Sequence, residues 1–594
     1  MHSLPRSIVA VLLVALCGAV QAATVERVEV RGLDAEDESE AMMLDNINEA
    51  VSLVEETGRT LGEARLEYLL DQARDEAREA LQPFGYYSPT ISVDVARAGA
   101  DDEQVTVVVN VDKGAPVRVR RSQVRIQGAG GEDRYLLEDM AAFEPQPGEV
   151  FDHQTYEAGK IRIVRRLAER GYFDADFAQR RVEVTRAENA ADIELEWVSG
   201  IRYDMGPTTF EQDYFRPGLL EQLVYWEQGS YFHQGKLERL RESLVALDYF
   251  SAIDIQPRPD DAVDGRVPVV VDLTLAKRDV YTTGVSYGTE SGAGVRLGLE
   301  RRYVNSRGHK LFTELDYAQK RKNYIVQYRI PAFAWLDGWY AFSVRAYDEQ
   351  TEYIDTRRLE LIASRSGQIS DRWTAVASLH ALRERWGYGE RDAGGDPLYQ
   401  YSTLTYPQIT GHYIGVDDRL FPRSGFSGNV ALRGGVEGAG SDATFSQLHS
   451  VVRWYRGIGE DSRLLVRGEF GATYTDDLVA MPPSLRFFAG GDRSVRGYAF
   501  REVGPRLENR YALGAKNVIT GSVEYERYLP GSDWGGAVFV DSGSAFDENP
   551  DFRTGVGVGV RWRSPVGAVR VDVARGLDDP DSGFQLYLNI GADL

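Results

Sequence analysis

From about Asp279 onward the chain alternates, residue by residue, between two kinds of side chain. Leu311, Thr313, Leu315 and Tyr317 interleave with Phe312, Glu314 and Asp316; Tyr324, Val326, Tyr328 and Ile330 interleave with Ile325, Gln327 and Arg329. Val556, Val558, Val560 and Trp562 interleave with Gly555, Gly557, Gly559 and Arg561, and Phe584, Leu586, Leu588 and Ile590 with Gln585, Tyr587, Asn589 and Gly591. A period of two is a strand period, because successive side chains point to opposite faces. One face is apolar with aromatics near strand ends, and the other is polar or glycine. The pattern predicts a transmembrane antiparallel β-barrel, lipid outside and water inside; a large soluble β-sandwich is the competing reading. A membrane strand takes roughly 9–11 residues and its turns about as many again, so the chain after Lys277 predicts roughly 16 strands.

The N-terminus reads as an export address. Arg6 supplies a positive side chain, Ile8 to Leu16 is a short apolar run, and Val20-Gln21-Ala22 places small residues for cleavage after Ala22. The one cysteine, Cys17, lies in that segment behind Leu16, where a lipoprotein signal wants a small residue, so the mature chain is expected to be free of thiols and disulfides. No later apolar run approaches the length of a spanning helix. The net charge of −23 argues against a nucleic-acid partner, since phosphate binding needs clustered Lys and Arg.

Between the export segment and the barrel, one pattern recurs three times as strand, helix, helix, strand, strand. Its marker is Gly85-Tyr86-Tyr87, then Gly171-Tyr172-Phe173, then Asp248-Tyr249-Phe250. A spacing of roughly 80 residues predicts three small α+β domains. In the second copy, Val124 to Gly128 enters a turn and Pro147-Gly148 breaks the chain. Tyr156 to Arg170 reads as an amphipathic helix with Ile161, Val164, Leu167 and Ala168 on its apolar face, closed by Gly171. The third copy places Leu237, Leu240, Leu244 and Leu247 on one helix face and Val269 to Leu275 in a closing strand. The first runs from Val25 to Val30, through a long helical stretch to Ala80, to strands at Ile91–Val95 and Val105–Val111. The expected boundaries are 1–22 for the signal peptide, 23–114, 115–200 and 201–277 for the small domains, and 278–594 for the barrel.

Four stretches are more specific than composition. They are Phe488-Ala489-Gly490-Gly491-Asp492-Arg493-Ser494-Val495-Arg496-Gly497-Tyr498 with Gly504-Pro505 behind it, Gly521 to Glu526, Phe539 to Gly543, and Asp418 to Gly425. With the repeats, they resemble the POTRA-bearing BamA/TamA superfamily, whose barrels carry a Val-Arg-Gly-Tyr/Phe loop. Three repeats and an Ile-Gly-Ala-Asp-Leu terminus are most similar to its TamA (translocation and assembly module) branch. Strand period alone turns Glu524, Glu526, Phe539 and Asp541 into the lumen if Val523, Tyr525, Val538 and Val540 face lipid. The resemblance implies that Val495, Arg496, Gly497 and Tyr498 fold into the lumen, with Arg496 docking on Asp541, Glu524 or both. Gly490, Gly491 and Gly497 would permit the turns.

The resemblance also implies an assembly factor working without cofactor, metal or nucleotide. It would insert or translocate autotransporters and other barrels through a lateral gate between the first strand (about Tyr281 to Tyr287) and the last. Gly284 and Gly288, and Phe584 and Gly591, mark those strands. Expected partners are unfolded outer-membrane clients, the bilayer with its lipopolysaccharide, and an inner-membrane-anchored TamB-like protein docking on the periplasmic domains. A general BamA-like insertase, a two-partner secretion pore and a passive porin remain alternatives. Catalysis is not expected: His153, His233, His309, His380, His412 and His449 form no metal or triad spacing with nearby acids.

Overall fold

The computed structural model describes residues 22–98, 104–288, 292–333, 336–350, 354–507, 511–564, 567–578 and 583–591. The export segment through Gln21 and the terminal Ala592-Asp593-Leu594 lie outside the described residues. The chain forms two compact units. The first takes in the chain up to Pro207 with Trp226–Leu237 and Pro257–Val269; the second takes in Thr208–Tyr225, Glu238–Gln256 and the chain from Val270.

The first repeat comprises β1 (Ala22–Arg31), α1 (Glu38–Ala50), α2 (Ser52–Glu55), β2 (Thr60–Gly62), α3 (Glu63–Leu81), β3 (Thr90–Ala98) and β4 (Gln104–Asp112). The second comprises β5 (Arg118–Gln127), α4 (Arg134–Ala141), α5 (His153–Glu169), β6 (Asp176–Thr185) and β7 (Ala190–Val198). In each, the first strand pairs parallel with the last, β1 with β4 and β5 with β7. Each has a bulge near its start, at Val25/Arg27 and Val119/Arg121. Parallel pairing needs a crossover, and the helices supply it. Asp37, Asp133 and Asp152 start their helices by accepting hydrogen bonds from the backbone N–H of Glu40, Tyr135 and Thr155.

The long helical stretch of the first repeat is three helices, interrupted by the short strand β2 that pairs with β1. In α5 the expected apolar face is out of phase. Tyr156, Gly159, Lys160, Ile163 and Leu167 are buried, while Ile161 and Val164 are exposed. The face is set by Phe143, which packs so closely that a Cβ on Gly159 would lie 2.7 Å from its ring.

The third repeat has β8 (Asp204–Glu211), α6 (Gln234–Leu247), β9 (Phe250–Pro257) and β10 (Arg266–Leu275), in sheet order β8-β10-β9. Leu237, Leu240, Leu244 and Leu247 are all buried as expected. Its first helix is only a 3₁₀ turn at Leu220–Leu223, because Pro217-Gly218 lies just ahead and Gly218 has positive φ.

All three markers follow the main helix with a left-handed residue: Gly85 at φ 88°, Gly171 at 85° and Asp248 at 54°. The aromatics behind them bind the next element. Tyr87 belongs to the core of the second repeat and its hydroxyl lies 2.5 Å from His153 Nε2. The Phe173 ring meets Phe232 at 4.8 Å, edge to face. In the second unit, Tyr249 is fully buried and donates to the Gly308 carbonyl, while Arg302 Nε donates to Asp248 at 2.8 Å.

Sixteen antiparallel strands form one sheet in chain order. They are β11 (Asp279–Gly288), β12 (Gly292–Arg301), β13 (Lys310–Ala318), β14 (Arg321–Pro331), β15 (Leu336–Gln350), β16 (Asp355–Ser370), β17 (Trp373–Gly387), β18 (Gln400–Val416), β19 (Ser424–Gly435), β20 (Phe445–Ile458) and β21 (Ser462–Thr475). After a loop with its own hairpin, β22 (Arg506–Leu507) and β23 (Tyr511–Ala512), come β24 (Asn517–Tyr528), β25 (Trp534–Phe546), β26 (Arg553–Ser564), β27 (Gly567–Gly576) and β28 (Gln585–Gly591). Val556, Val558 and Val560 are exposed on the outer face, and Arg561 is buried on the inner. Strand length is uneven: β18 has 17 residues, β13 only 9. The first strand is longer than expected at both ends, and the last begins one residue after Phe584.

Candidate functional site: a loop clasped inside the barrel

The loop between β21 and β24 has a core of its own. Phe487, Ala489, Val495, Tyr498 and Val503 bury themselves with Ala515 and with the wall residues Val518 and Ala545. Paired backbone hydrogen bonds between Phe487 and Ala515 close its base, at 3.0 and 2.8 Å. Gln447 of β20 donates to the Leu485 carbonyl at 2.8 Å, and Arg486 Nη1 to that of Leu513 at 2.7 Å. The loop therefore fills lumen space with packed apolar side chains over a hydrogen-bonded base.

Arg496 stands at its tip. Nε and Nη2 form a fork on Asp541 of β25, at 2.7 Å to Oδ2 and 2.9 Å to Oδ1, and the Arg496 backbone N–H also reaches Oδ2 at 3.0 Å. Nη1 donates to Glu524 Oε2 of β24 at 2.7 Å and to Asp572 Oδ2 of β27 at 3.0 Å; Nη2 also meets Ser522 Oγ at 3.2 Å. The guanidinium carbon lies 3.3 Å from the centre of the Phe539 ring. Arginine suits the position because its charge is permanent and its planar fork can engage several carboxylate oxygens at once.

The carboxylates are shared with the wall. Arg561 of β26 donates to Asp572 Oδ1 at 2.6 Å, to Glu524 Oε1 at 2.6 Å and to Glu526 Oε1 at 3.0 Å. Glu526 also accepts from Arg463 Nε of β21 at 2.6 Å. Arg463 Nη1 donates to the Pro422 carbonyl in the Asp418–Gly425 stretch, at 2.7 Å. There the side chain of Asp417 accepts from the backbone N–H groups of Arg423 and Ser424. One ionic chain thus joins the loop tip to the turn between β18 and β19 through five barrel strands. Asp541, Glu526 and Arg561 are 0, 0 and 1% exposed, so losing one partner would strand buried charge.

Both expected partners of Arg496, Asp541 and Glu524, are in contact with it. Asp572, Arg561, Ser522 and Phe539 were not anticipated, although the same alternation turns Asp572 inward between Val571 and Val573. The Gly-x-Gly-x-Gly run lies in strand β26, as its period of two implies, and Gly555 is also the floor under the loop tip. A Cβ on Gly555 would sit 1.8 Å from the Arg496 carbonyl oxygen, and one on Gly557 2.3 Å from the Phe539 ring. Gly497 presses as closely, its Cβ position being 2.5 Å from the Arg575 backbone.

The loop also reaches the last strand. Gly497 N–H donates to the Tyr587 hydroxyl at 3.0 Å, and that hydroxyl donates to the Tyr498 carbonyl at 2.8 Å. The residues expected to mark a gate do not join this cluster. Gly284 pairs with Arg296 and Gly288 with Gly292 in the β11–β12 ladder, and Gly591 pairs with Ala568. Phe584 is exposed ahead of β28, 5.9 Å beneath the Arg575 guanidinium. β11 and β28 are the two ends of the sheet, and no ladder joins them among the described residues.

Acids distant in sequence come close to two of the histidines across strands. His380 Nδ1 lies 2.8 Å from Glu360 and its Nε2 2.9 Å from Ser378 Oγ; His449 lies 2.9 Å from Glu469. A serine nucleophile needs N–H donors aimed at a developing oxyanion. The backbone around Ser378 is instead engaged in ladders on both sides, with β16 and β18, and His380 is stacked on Tyr406 at 4.8 Å. Among the described residues, no cluster of His, Cys, Asp and Glu is arranged to hold a metal ion.

Known proteins resemble this chain in sequence and fold. Residues 400–593 match the Omp85 superfamily domain, 27–113 the first POTRA domain of TamA, and 119–196 a POTRA domain described as a surface antigen variable number repeat. An outer membrane protein assembly factor BamA of Nitratidesulfovibrio vulgaris is 25% identical over 384 residues, 60% of this chain and 46% of the relative. The human sorting and assembly machinery component 50 homolog is 23% identical over 50% of this chain and 64% of its own length. The chain thus spans about half to two thirds of these relatives. BamA from Haemophilus ducreyi lacking POTRA domains 1–3 shares the fold, with a TM-score of 0.67 and 15% identity over 80% of this chain and 99% of that one. Residues 400–593 thus carry an Omp85 superfamily domain and the chain ahead of them carries POTRA domains, the organisation of an outer-membrane β-barrel with periplasmic POTRA domains.

Proposed function

We propose that this protein is an assembly factor of the TamA type, inserting or translocating autotransporters and other β-barrel proteins without nucleotide hydrolysis. The observation that carries the reading is the double attachment of the Val495–Tyr498 segment. Arg496 fixes it to the carboxylates of β24, β25 and β27, and Gly497 and Tyr498 fix it to Tyr587 of β28. A loop held on the interior wall and tied to an end strand can couple what occupies the lumen to the state of the seam. The seam is the lateral gate, where the edge of β11 or β28 offers unpaired N–H and C=O groups to an incoming strand. The packed loop core speaks against an open passive pore.

The periplasmic domains would receive unfolded clients and an inner-membrane-anchored TamB-like partner; the match of residues 27–113 to a TamA-type POTRA domain supports that assignment. The reaction consists of strand exchange and partitioning into lipid, so no side chain is assigned a catalytic role. The test is reconstitution in vesicles with an autotransporter β-domain as client. Arg496→Ala and deletion of residues 23–112 should each abolish insertion; insertion at the wild-type rate in both would reject the mechanism. Crosslinking from envelopes separates the branches: one large inner-membrane-anchored partner supports the TamA type, whereas a set of outer-membrane lipoproteins points to a general BamA-like insertase.

A further inference from the structure

At the ends of β14 to β18 remote from the β10–β11 connection, a row of charged side chains crosses the outer face of the barrel. Lys322 stands opposite Asp348, Asp348 opposite Arg357, and Arg357 opposite Arg385, which faces Tyr401. The next row toward the periplasm reads Leu315, Tyr324, Ala346, Leu359 and Arg383, and the one after it Val326, Val344, Leu361 and Ala381. These positions face outward, because their alternates Glu360, Leu382 and Glu384 are buried on the inner face. Leu359 and Leu361 are each 51% exposed, as lipid-facing side chains should be. A groove of about 510 Å³ runs along the junction, lined by Leu315, Tyr324, Leu359, Arg357, Arg383 and Arg385.

The charges do not balance. Asp348 accepts from Arg357 at 2.8 Å and lies 3.9 Å from Lys322. Asp355 is 3.5 Å from Arg385. Arg383 has no ion-pair partner among the described residues. Arg385 stacks its guanidinium 3.9 Å above the Tyr399 ring, and its buried Nε has no hydrogen-bond acceptor among them. Four cations therefore face two carboxylates, in a chain whose net charge is −23. Cations on the lipid face of a barrel are tolerated near an interface and costly at the midplane. This row is at the interface, with tyrosines beside it and an apolar belt beneath it.

We propose that this groove binds the phosphorylated headgroup of an outer-leaflet glycolipid, with the acyl chains lying along Leu359, Val344 and Leu361. Arg357, Arg383 and Arg385 present planar donors that suit phosphate oxygens. Tyr324 and Tyr401 flank the boundary between headgroup and chains. The site is on the outside of the barrel and does not depend on the assembly reading.

The test uses the full-length protein in detergent, with bound lipid counted by native mass spectrometry. The probes are bis-phosphorylated lipid A, the same lipid stripped of phosphate, and inorganic phosphate as competitor. The wild-type protein should retain the phosphorylated lipid and discriminate against the stripped one. Arg383→Gln should weaken retention roughly fivefold, and the triple change Arg357→Gln, Arg383→Gln, Arg385→Gln roughly a hundredfold, since each cation near an anionic lipid surface contributes comparably. Heat-modifiable electrophoretic mobility confirms that each barrel is folded, and Arg383→Gln removes no ion pair. Unchanged retention in the triple variant, or equal retention of both lipids, would overturn the proposal. So would full displacement by millimolar phosphate, which would make the groove a site for the free anion.

Discussion

Arg496 makes six polar contacts to four side chains, and no other residue has the reach to replace it. Arg496→Ala should destabilise the folded barrel by about 3–5 kcal/mol, less where lumen water reaches the stranded carboxylates. A shift of the urea midpoint at unchanged slope would measure it. Arg496→Lys should recover little, because one ammonium cannot span Asp541, Glu524 and Asp572. A second residue-scale prediction concerns His153 between the first two repeats. Burial holds its pKa below the ordinary value of about 6.5. The unfolded chain therefore takes up the proton first. The stability His153 contributes is complete above that value and is lost as pH falls through the depressed one. Hydrogen-exchange protection factors around Tyr87 and Val117 should fall with acid, and His153→Gln should abolish that fall. The sequence disclosed Arg496 and two of its acids, because alternation fixes which side of a strand faces in. It did not disclose Asp572 as a partner or Tyr587 as a tether, because alternation says nothing about which inward residues lie at one height.

Elements were legible where their pattern had one solution. Strand period gave the barrel and the faces of β24, β25 and β26, the length of chain after Lys277 gave the strand number, and leucine spacing gave the buried face of α6. The buried face of α5 was misplaced because Ile161 and Val164 outscore Gly159 and Lys160 on hydropathy, while packing against Phe143 selects the small residue. Among elements, β28 carries the sharpest prediction. It has one ladder among the described residues, and Tyr587 adds the tether to the loop. Tyr587→Phe removes two hydrogen bonds while keeping the ring. It should leave the barrel folded yet raise the rate at which cysteines placed in β11 and β28 react with a maleimide. A rate equal to that of the parent cysteine protein would separate the loop from the seam.

At the scale of the whole molecule, three modular domains precede a barrel whose ionic chain runs among its own strands and loop. Loss of residues 23–112 should therefore leave heat-modifiable mobility intact while client delivery fails; a barrel that no longer folds would contradict the modular reading. The domain repeat was legible because a left-handed residue followed by two aromatics is a rare local signature, and Asp248 fills that position as the glycines do. What the aromatics do was not legible, since nothing local tells a plug of one core from a bolt into the next. The glycine floor under the clasped loop has a further consequence, for heredity. Any single-base change that alters a glycine codon adds at least a Cβ, and at Gly555 and Gly557 that atom would collide with the loop's backbone or with the ring beneath Arg496. This wall has no neutral neighbours in sequence space. It can drift only in step with the path of the loop, while the valines between the glycines, turned to fluid lipid, are free to exchange.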